Sequence, residues 1–332
     1  LKLTIHFFPL AGRASLSLFI PLLSRSVLCT LDAMPYAGRR MHQVQAKTIL
    51  SSSNGMNIYR GCTHGCIYCD SRSACYRMEH DFEDVEVKSN ALELLDAALR
   101  RKRTKGMIGC GSMTDPYIPL ESELGYVRGA MEIALKHGFG FTLITKSDLV
   151  LRDLDILEEL NSRTKCVVQM TLTTYDEGLC RKVEPNVCTT KRRAEVLRTL
   201  RDKGIPTIVW LCPILPFIND TEENIRGILQ CCADAGVKGI VCFGMGLTLR
   251  GGSREHFYSC LDDVFPGMTE RYRRSYGDRY VLSSPRNREL MALFHSFCEE
   301  HGMMHDNDEI FRYLSTLDEK KKKIQTSLSD RW

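Results

Sequence analysis

The chain has 332 residues, 43% of them hydrophobic, and a formal net charge of +4. That length buries a substantial core and fits one large α/β domain. The charge is too mild to demand a nucleic-acid partner, which usually meets a stronger basic face. Fifteen cysteines are scattered through apparent strands and helices, which excludes the regular spacing of a disulfide framework and argues for reduced thiols in a cytoplasmic protein.

Residues 1–40 do not match the rest. They are apolar but interrupted by Pro9 and Pro21, and the stretch between Arg13 and Arg25 is too short to span a membrane. We read them as an upstream extension outside the fold, with Met34 or Met41 as a candidate start, a domain over 41–315, and a charged tail over 316–332. The lysine run 320–323 in that tail reads as a solvated segment rather than a nucleic-acid site.

The first expected barrel strand is Gly-Met-Asn-Ile-Tyr-Arg (55–60), and it runs into Cys-Thr-His-Gly-Cys-Ile-Tyr-Cys (62–69). Cys62, Cys66 and Cys69 form a C-x3-C-x2-C triplet within one short loop. Three thiolates so placed can hold three corners of a cubane [4Fe–4S] cluster and leave its fourth iron open to a non-protein ligand. The competing reading is structural zinc, with His64 or a distant residue as the fourth ligand, but no second C-x2-C or H-x3-5-H pair follows. Gly61 and Gly65 give the backbone the freedom to wrap closely, and Tyr68 offers a flat face beside the last cysteine.

The segment Asn-Ile-Tyr-Arg-Gly-Cys-Thr-His-Gly-Cys-Ile-Tyr-Cys-Asp (57–70) resembles the radical S-adenosylmethionine (SAM) superfamily, and within it the spore photoproduct lyase-like branch. The similarity extends over roughly 41–315. It implies two cofactors, a [4Fe–4S] cluster and SAM bound at the open iron. It implies an activity in which one electron cleaves SAM to methionine and a 5′-deoxyadenosyl radical that abstracts hydrogen from a substrate. A reductant such as flavodoxin or ferredoxin is the implied partner. The substrate is not specified by the motif, and a nucleic-acid lesion is one candidate. The alternative is an iron–sulfur electron-transfer or sensor protein without SAM chemistry.

Downstream, strand-length apolar runs at 107–110, 139–145, 166–172, 205–212 and 239–243 alternate with helical patterns at 122–137, 149–160, around Ala194, Leu197 and Leu200, and at 222–235. This alternation predicts a parallel sheet. The fold class is α/β, a partial (β/α)6 TIM-type barrel of the radical SAM type, with C-terminal helices over 286–301 and 307–315 covering its open side. Function collects at the C-terminal ends of barrel strands. Polar residues stand there at Ser112-Met113-Thr114-Asp115, Thr145-Lys146-Ser147 and Thr171-Leu172-Thr173-Thr174. Helix capping accounts for Ser147 beside Asp148, and for Asp220 and Glu223 as a capping box.

Asp115 can accept from an ammonium and Lys146 can pair with a carboxylate, which is what a zwitterionic amino acid requires. The resemblance implies the same: Thr114 and Asp115 after the second strand and Lys146 after the third for the methionyl end of SAM, and Thr173 or Thr171 for its sugar. Two departures from spore photoproduct lyases bear on the chemistry. Ser112 stands where those enzymes carry a hydrogen-donating cysteine, and Asp70 stands where they carry a tyrosine. Cys110 shares a strand face with Ser112 and is a substitute donor on that reading. Glu184, Cys212, Cys242 and Arg250 also lie at or after strand ends, within reach of a substrate; Glu184 reads equally as the anchor of the turn at Pro185, and the two cysteines as plain core residues.

Overall fold

The computed structural model describes residues 40–317; the expected upstream extension before Arg40 and the tail beyond Leu317 lie outside the described residues. In chain order the strands are β1 Met41–Val44, β2 Gly55–Met56, β3 Tyr59–Arg60, β4 Val85–Lys88, β5 Met107–Cys110, β6 Gly140–Thr145, β7 Cys166–Thr171, β8 Thr207–Trp210, β9 Gly239–Val241, β10 Gly246–Thr248 and β11 Val281–Ser283. The helices are α1 Ala91–Arg101, α2 Glu121–Leu124, α3 Tyr126–Lys136, α4 Leu154–Arg163, α5 Glu177–Val183, α6 Thr190–Asp202, α7 Glu222–Asp234, α8 Ser253–Val264, α9 Met268–Tyr276, α10 Asn287–Glu300 and α11 Asn307–Ser315.

Six strands pair in the order β2-β5-β6-β7-β8-β9, all parallel. Sequential order with helical crossovers is the partial-barrel topology, because a right-twisted strand returns beside itself through a right-handed connection. Helices face the sheet through stripes at helical spacing: Ala91, Leu95 and Leu99 of α1, and Ala194, Leu197 and Leu200 of α6, are all buried. Each large apolar side chain so buried contributes about 1.5–3 kcal/mol. α11 packs on β5 and β9, with Ile310 and Leu314 set against Val167, Ile208 and Val241, so one of the two helices expected to cover the barrel's open side does so, whereas α10 packs on α7.

Three expected elements differ. The strand over 55–60 is two strands in two sheets: β2 pairs with β5, whereas β3 pairs with β4 in a separate sheet ordered β1-β4-β3. Asn57 sits at the crossover, with its side chain turned to the backbone of Met113 and the hydroxyl of Ser112. The helix over 122–137 is divided by Gly125, whose φ of 65° ends α2. The helix over 149–160 opens as a 3-10 turn, Asp148–Asp153, before α4, with Ser147 accepting from the Leu149 N–H as its cap. The cap of α7 is Thr221, which accepts from Asn224 N–H; Asp220 instead accepts from Ser284.

Candidate active site: the cysteine loop and the barrel cavity

The loop that carries the triplet is fixed at both ends by backbone bonds. Cys62 N–H donates to Phe82 O at 2.9 Å, Ile67 N–H to Val183 O at 3.1 Å, and Asn186 N–H returns to His64 O at 3.2 Å. Gly61, at φ 90°, lies so close to Phe82 that a Cβ would stand 2.5 Å from its carbonyl oxygen. Gly65, at φ 69°, is less crowded: a Cβ would stand 3.0 Å from the Asn186 side chain and 3.1 Å from that of Pro185.

Beneath the loop lies a buried charge hub. Arg193 donates to Glu184 at 2.5 Å and to Thr171 O at 2.9 Å, and both members of the ion pair are fully inaccessible. The Tyr68 hydroxyl donates to the other oxygen of Glu184. Burial raises the Glu184 carboxyl, but the charges of Arg193 and Lys146 and the donated hydrogen bonds outweigh it and hold the group below the ordinary glutamate value. Glu184 therefore neither faces the cavity nor anchors only its own turn. It secures Tyr68, and through it the last cysteine of the loop.

Cys62, Cys66 and Cys69 are free thiols and all three line a cavity of about 1260 Å³ that reaches from the starts of β2 and β5 to the strand ends. Small-molecule sites usually span roughly 300–1,000 Å³. Burial raises the Cys62 thiol well above its usual range, with Asp115 and Cys66 adding to the effect. Cys66 is pushed up to about 12, chiefly by burial. Such thiols stay neutral unless a bound cation favours their thiolates, and a metal cluster does so.

Geometry separates the two metals weighed for this triplet. Tetrahedral zinc with sulfur ligands at about 2.3 Å needs sulfurs roughly 3.8 Å apart. Among the described residues, only His42, His80 and Asp84 bring three ligand atoms within 4.8 Å of one another, so the three sulfurs are spread too widely for one zinc ion. His64 is buried with Nδ1 3.4 Å from Asp115, which occupies the proposed fourth zinc ligand. A spread trio of thiols, two of them buried and the third partly so, fits a larger metal cluster.

The remaining expected residues divide. Asp115, Lys146, Cys110, Ser112, Thr171 and Tyr68 line the same cavity. Asp115 already accepts from Thr145 Oγ1 at 2.7 Å, Tyr117 N–H at 2.9 Å and Lys146 N–H at 2.7 Å. Of the roughly four acceptor sites of a carboxylate, the fourth faces His64 Nδ1 at 3.4 Å. The Lys146 ammonium lies 5.9 Å from the centre of the Tyr68 ring. Burial lowers its basicity, but Cys66, Glu184 and Asp115 more than compensate, so it remains a cation.

Thr114 and Thr173 do not line the cavity. Thr114 is buried in the irregular turn after β5, between Met113 and Asp115, which do. Thr173 lies past the end of β7, where strand alternation no longer sets direction, and its carbonyl accepts from Asn219 and Asn224 beneath the rim. Of the two hydroxyls considered for the sugar, Thr171 is the one at the cavity. Arg250 pairs with Tyr280 and approaches Asp70 at 3.8 Å, and Cys242 contacts Met291; neither lines the cavity, whereas Cys212 does.

Other cavity residues had no place in the sequence reading. Gln169 donates to Thr142 Oγ1 at 2.8 Å and accepts from Trp210 Nε1 at 2.7 Å, a polar belt across β6, β7 and β8. A lone glutamine in Cys-Val-Val-Gln-Met-Thr was the available signal. Trp210, Phe243 and Phe311 form an aromatic cluster on the cavity wall, with ring centroids 6.0–6.2 Å apart. Phe243 is 63% exposed.

A family model described as the radical SAM superfamily matches residues 56–232. An uncharacterized protein of Mycobacterium tuberculosis is 29% identical over 277 residues, covering 79% of this chain and 81% of the relative. Among solved structures, a cysteine-to-serine mutant of spore photoproduct lyase superposes with a TM-score of 0.61 at 13% identity, covering 80% of this chain and 81% of that one. A double mutant of spore photoproduct lyase with bound AdoMet and dinucleoside spore photoproduct gives 0.57 at 14% identity, covering 75% and 74%. The parallel six-stranded barrel with its loop of three free cysteines, and a family match over more than half the sequence, agree: the chain belongs to the radical SAM superfamily and has the fold of its spore photoproduct lyase-like branch.

Proposed function

We propose that this chain is a SAM-cleaving radical enzyme whose substrate presents a flat, base-like ring to the mouth of the barrel. The reading is carried by one convergence: the cysteine trio, the Asp115–Lys146 corner and an aromatic wall share a single cavity of about 1260 Å³. An electron-transfer or sensor protein needs no such chamber beside its cluster. When bound, a reduced [4Fe–4S] cluster and SAM supply one electron and a carbon radical able to take a hydrogen atom from substrate.

The protein's own residues bind, orient and exclude water. Cys62, Cys66 and Cys69 would hold three cluster corners, and Tyr68, tied to Glu184, keeps the third of them in place. Lys146 offers a fixed positive charge to a carboxylate, and Asp115, lining the cavity, offers its negative charge to an ammonium while it locks the ends of β5 and β6 together. Thr171 is the hydroxyl offered to a sugar. Trp210 and the exposed Phe243 present faces on which an aromatic ring can stack, an arrangement worth about 1–3 kcal/mol per nucleic-acid base. The dinucleoside bound in the spore photoproduct lyase structure is of that chemical kind.

Thymine-dimer repair itself is not carried over. Ser112 is a poor hydrogen-atom donor, and Asp70 is bound to Tyr76 and Ser73. Cys110 and Cys212 are the thiols outside the cluster loop that line the cavity; burial pushes Cys212 up to about 12 and raises Cys110 further, so both keep the hydrogen a donor must give.

The test is anaerobic reconstitution followed by SAM and dithionite, with flavodoxin or ferredoxin as alternative reductants. The wild type is expected to release 5′-deoxyadenosine, and Cys62→Ala to release none. Lys146→Ala removes a charge-assisted contact and is expected to weaken SAM binding about 10- to 100-fold while leaving iron content unchanged. A wild type that cycles one electron reversibly yet never cleaves SAM would establish the electron-transfer reading instead.

A further inference from the structure

Away from the cavity, the small sheet β1-β4-β3 carries a second set of metal-ligating side chains. His42 of β1 stands in register with Glu86 of β4, and alternation puts Asp84 on the same side as Glu86. His42 Nδ1 lies 3.1 Å from Asp84 Oδ2, and the His42 and His80 rings meet edge to face with centroids 4.7 Å apart. His42, His80 and Asp84 thereby bring one ligand atom each within a 4.8 Å span.

The state of His80 points to a ligand. Its Nδ1 lies 3.0 Å from Asp81 O, a backbone carbonyl that can only accept, so Nδ1 is the donor and Nε2 is the nitrogen turned toward Glu86. That Nε2 is buried without a hydrogen-bond partner, and Glu86 Oε2 stands 3.7 Å away, beyond hydrogen-bond reach. A buried ring nitrogen and a carboxylate at that separation leave each other's bonding capacity unmet. A cation between them satisfies both. The backbone carbonyl on the far nitrogen is the usual outer support of a metal-bound imidazole.

We propose that His42, His80 and Asp84, completed by Glu86, form a metal site for a divalent first-row cation, with Zn²⁺ the best match to two imidazoles and carboxylates. None of the four lines the barrel cavity, so the site is structural. Its ligands come from β1, β4 and the segment leading into β4. The same segment contains Phe82, whose carbonyl accepts from Cys62 N–H and abuts Gly61. The cation thus joins the first strand to the support of the cysteine loop.

The full chain, with its cluster reconstituted so that the cysteines are occupied, is equilibrated with Zn²⁺, desalted and assayed for zinc and iron. About one zinc per chain is expected beyond the iron. His80→Ala and Asp84→Asn are expected to lose the zinc and keep the iron, and zinc should raise the wild-type Tm by roughly 5 °C or more at saturation. Should the variants fail to fold, zinc-edge X-ray absorption of the wild type decides. A shell of nitrogen and oxygen with imidazole scattering supports the site; sulfur neighbours, absent zinc uptake, or zinc retained in both variants would overturn it.

Discussion

Glu184 shows how much of this site depends on one side chain. It accepts from Arg193 and Tyr68 in a place sealed from water, so removing its charge leaves Arg193 buried and uncompensated. Glu184→Gln is expected to cost about 3–5 kcal/mol in denaturant unfolding, and Tyr68→Phe only about 1–3 kcal/mol. If the two variants proved equally mild, the hub would be incidental to the loop. In the sequence, Glu184-Pro185 reads equally well as a turn, because its partner Arg193 belongs to another helix and lone charges on a helix are normally solvated. The cysteine trio was legible because all its meaning lies within eight residues. Thr114 and Thr173 fall outside the cavity lining for the opposite reason, since the direction of a side chain just past a strand end is set by tertiary packing.

At the level of elements, the cysteine loop leaves β3 and seats against the turn at Pro185 and Asn186. Gly61→Ala adds a methyl at a positive φ and 2.5 Å from Phe82 O. Backbone must move, and the variant is expected to incorporate several-fold less iron under anaerobic reconstitution while its far-ultraviolet circular dichroism stays unchanged; undiminished iron would show that the approach to Phe82 is dispensable. The barrel strands were readable from apolar runs of strand length. β1, β4, β10 and β11 were not. They are three or four residues long, and a run such as Val-Glu-Val-Lys is too brief for alternation to stand out. The expected single strand at 55–60 failed because Asn57 bonds outward to the turn after β5, a contact 55–56 residues distant in sequence.

For the molecule as a whole, the depressed Glu184 carboxyl links the site to acid stability. A carboxyl whose folded value lies below its ordinary one stabilises the fold above that ordinary value and ceases to do so as pH falls through the folded value. The stability gap between the wild type and Glu184→Gln should therefore be full at about pH 7 and narrow below about pH 4, measured as urea midpoints across that range. A gap independent of pH would place the effect of the substitution in shape rather than charge. The part of the cavity lining that carries the cysteines and the part supplied by α11 come from distant stretches of the chain. Phe311, Arg312, Leu314 and Ser315 of α11 line the chamber although they lie more than two hundred residues beyond the cysteine loop. On the proposed reading, ring recognition and radical generation can accordingly be re-engineered apart: altering the cavity-lining side chains of α11 changes which guests are admitted while the electron-handling end keeps its wiring.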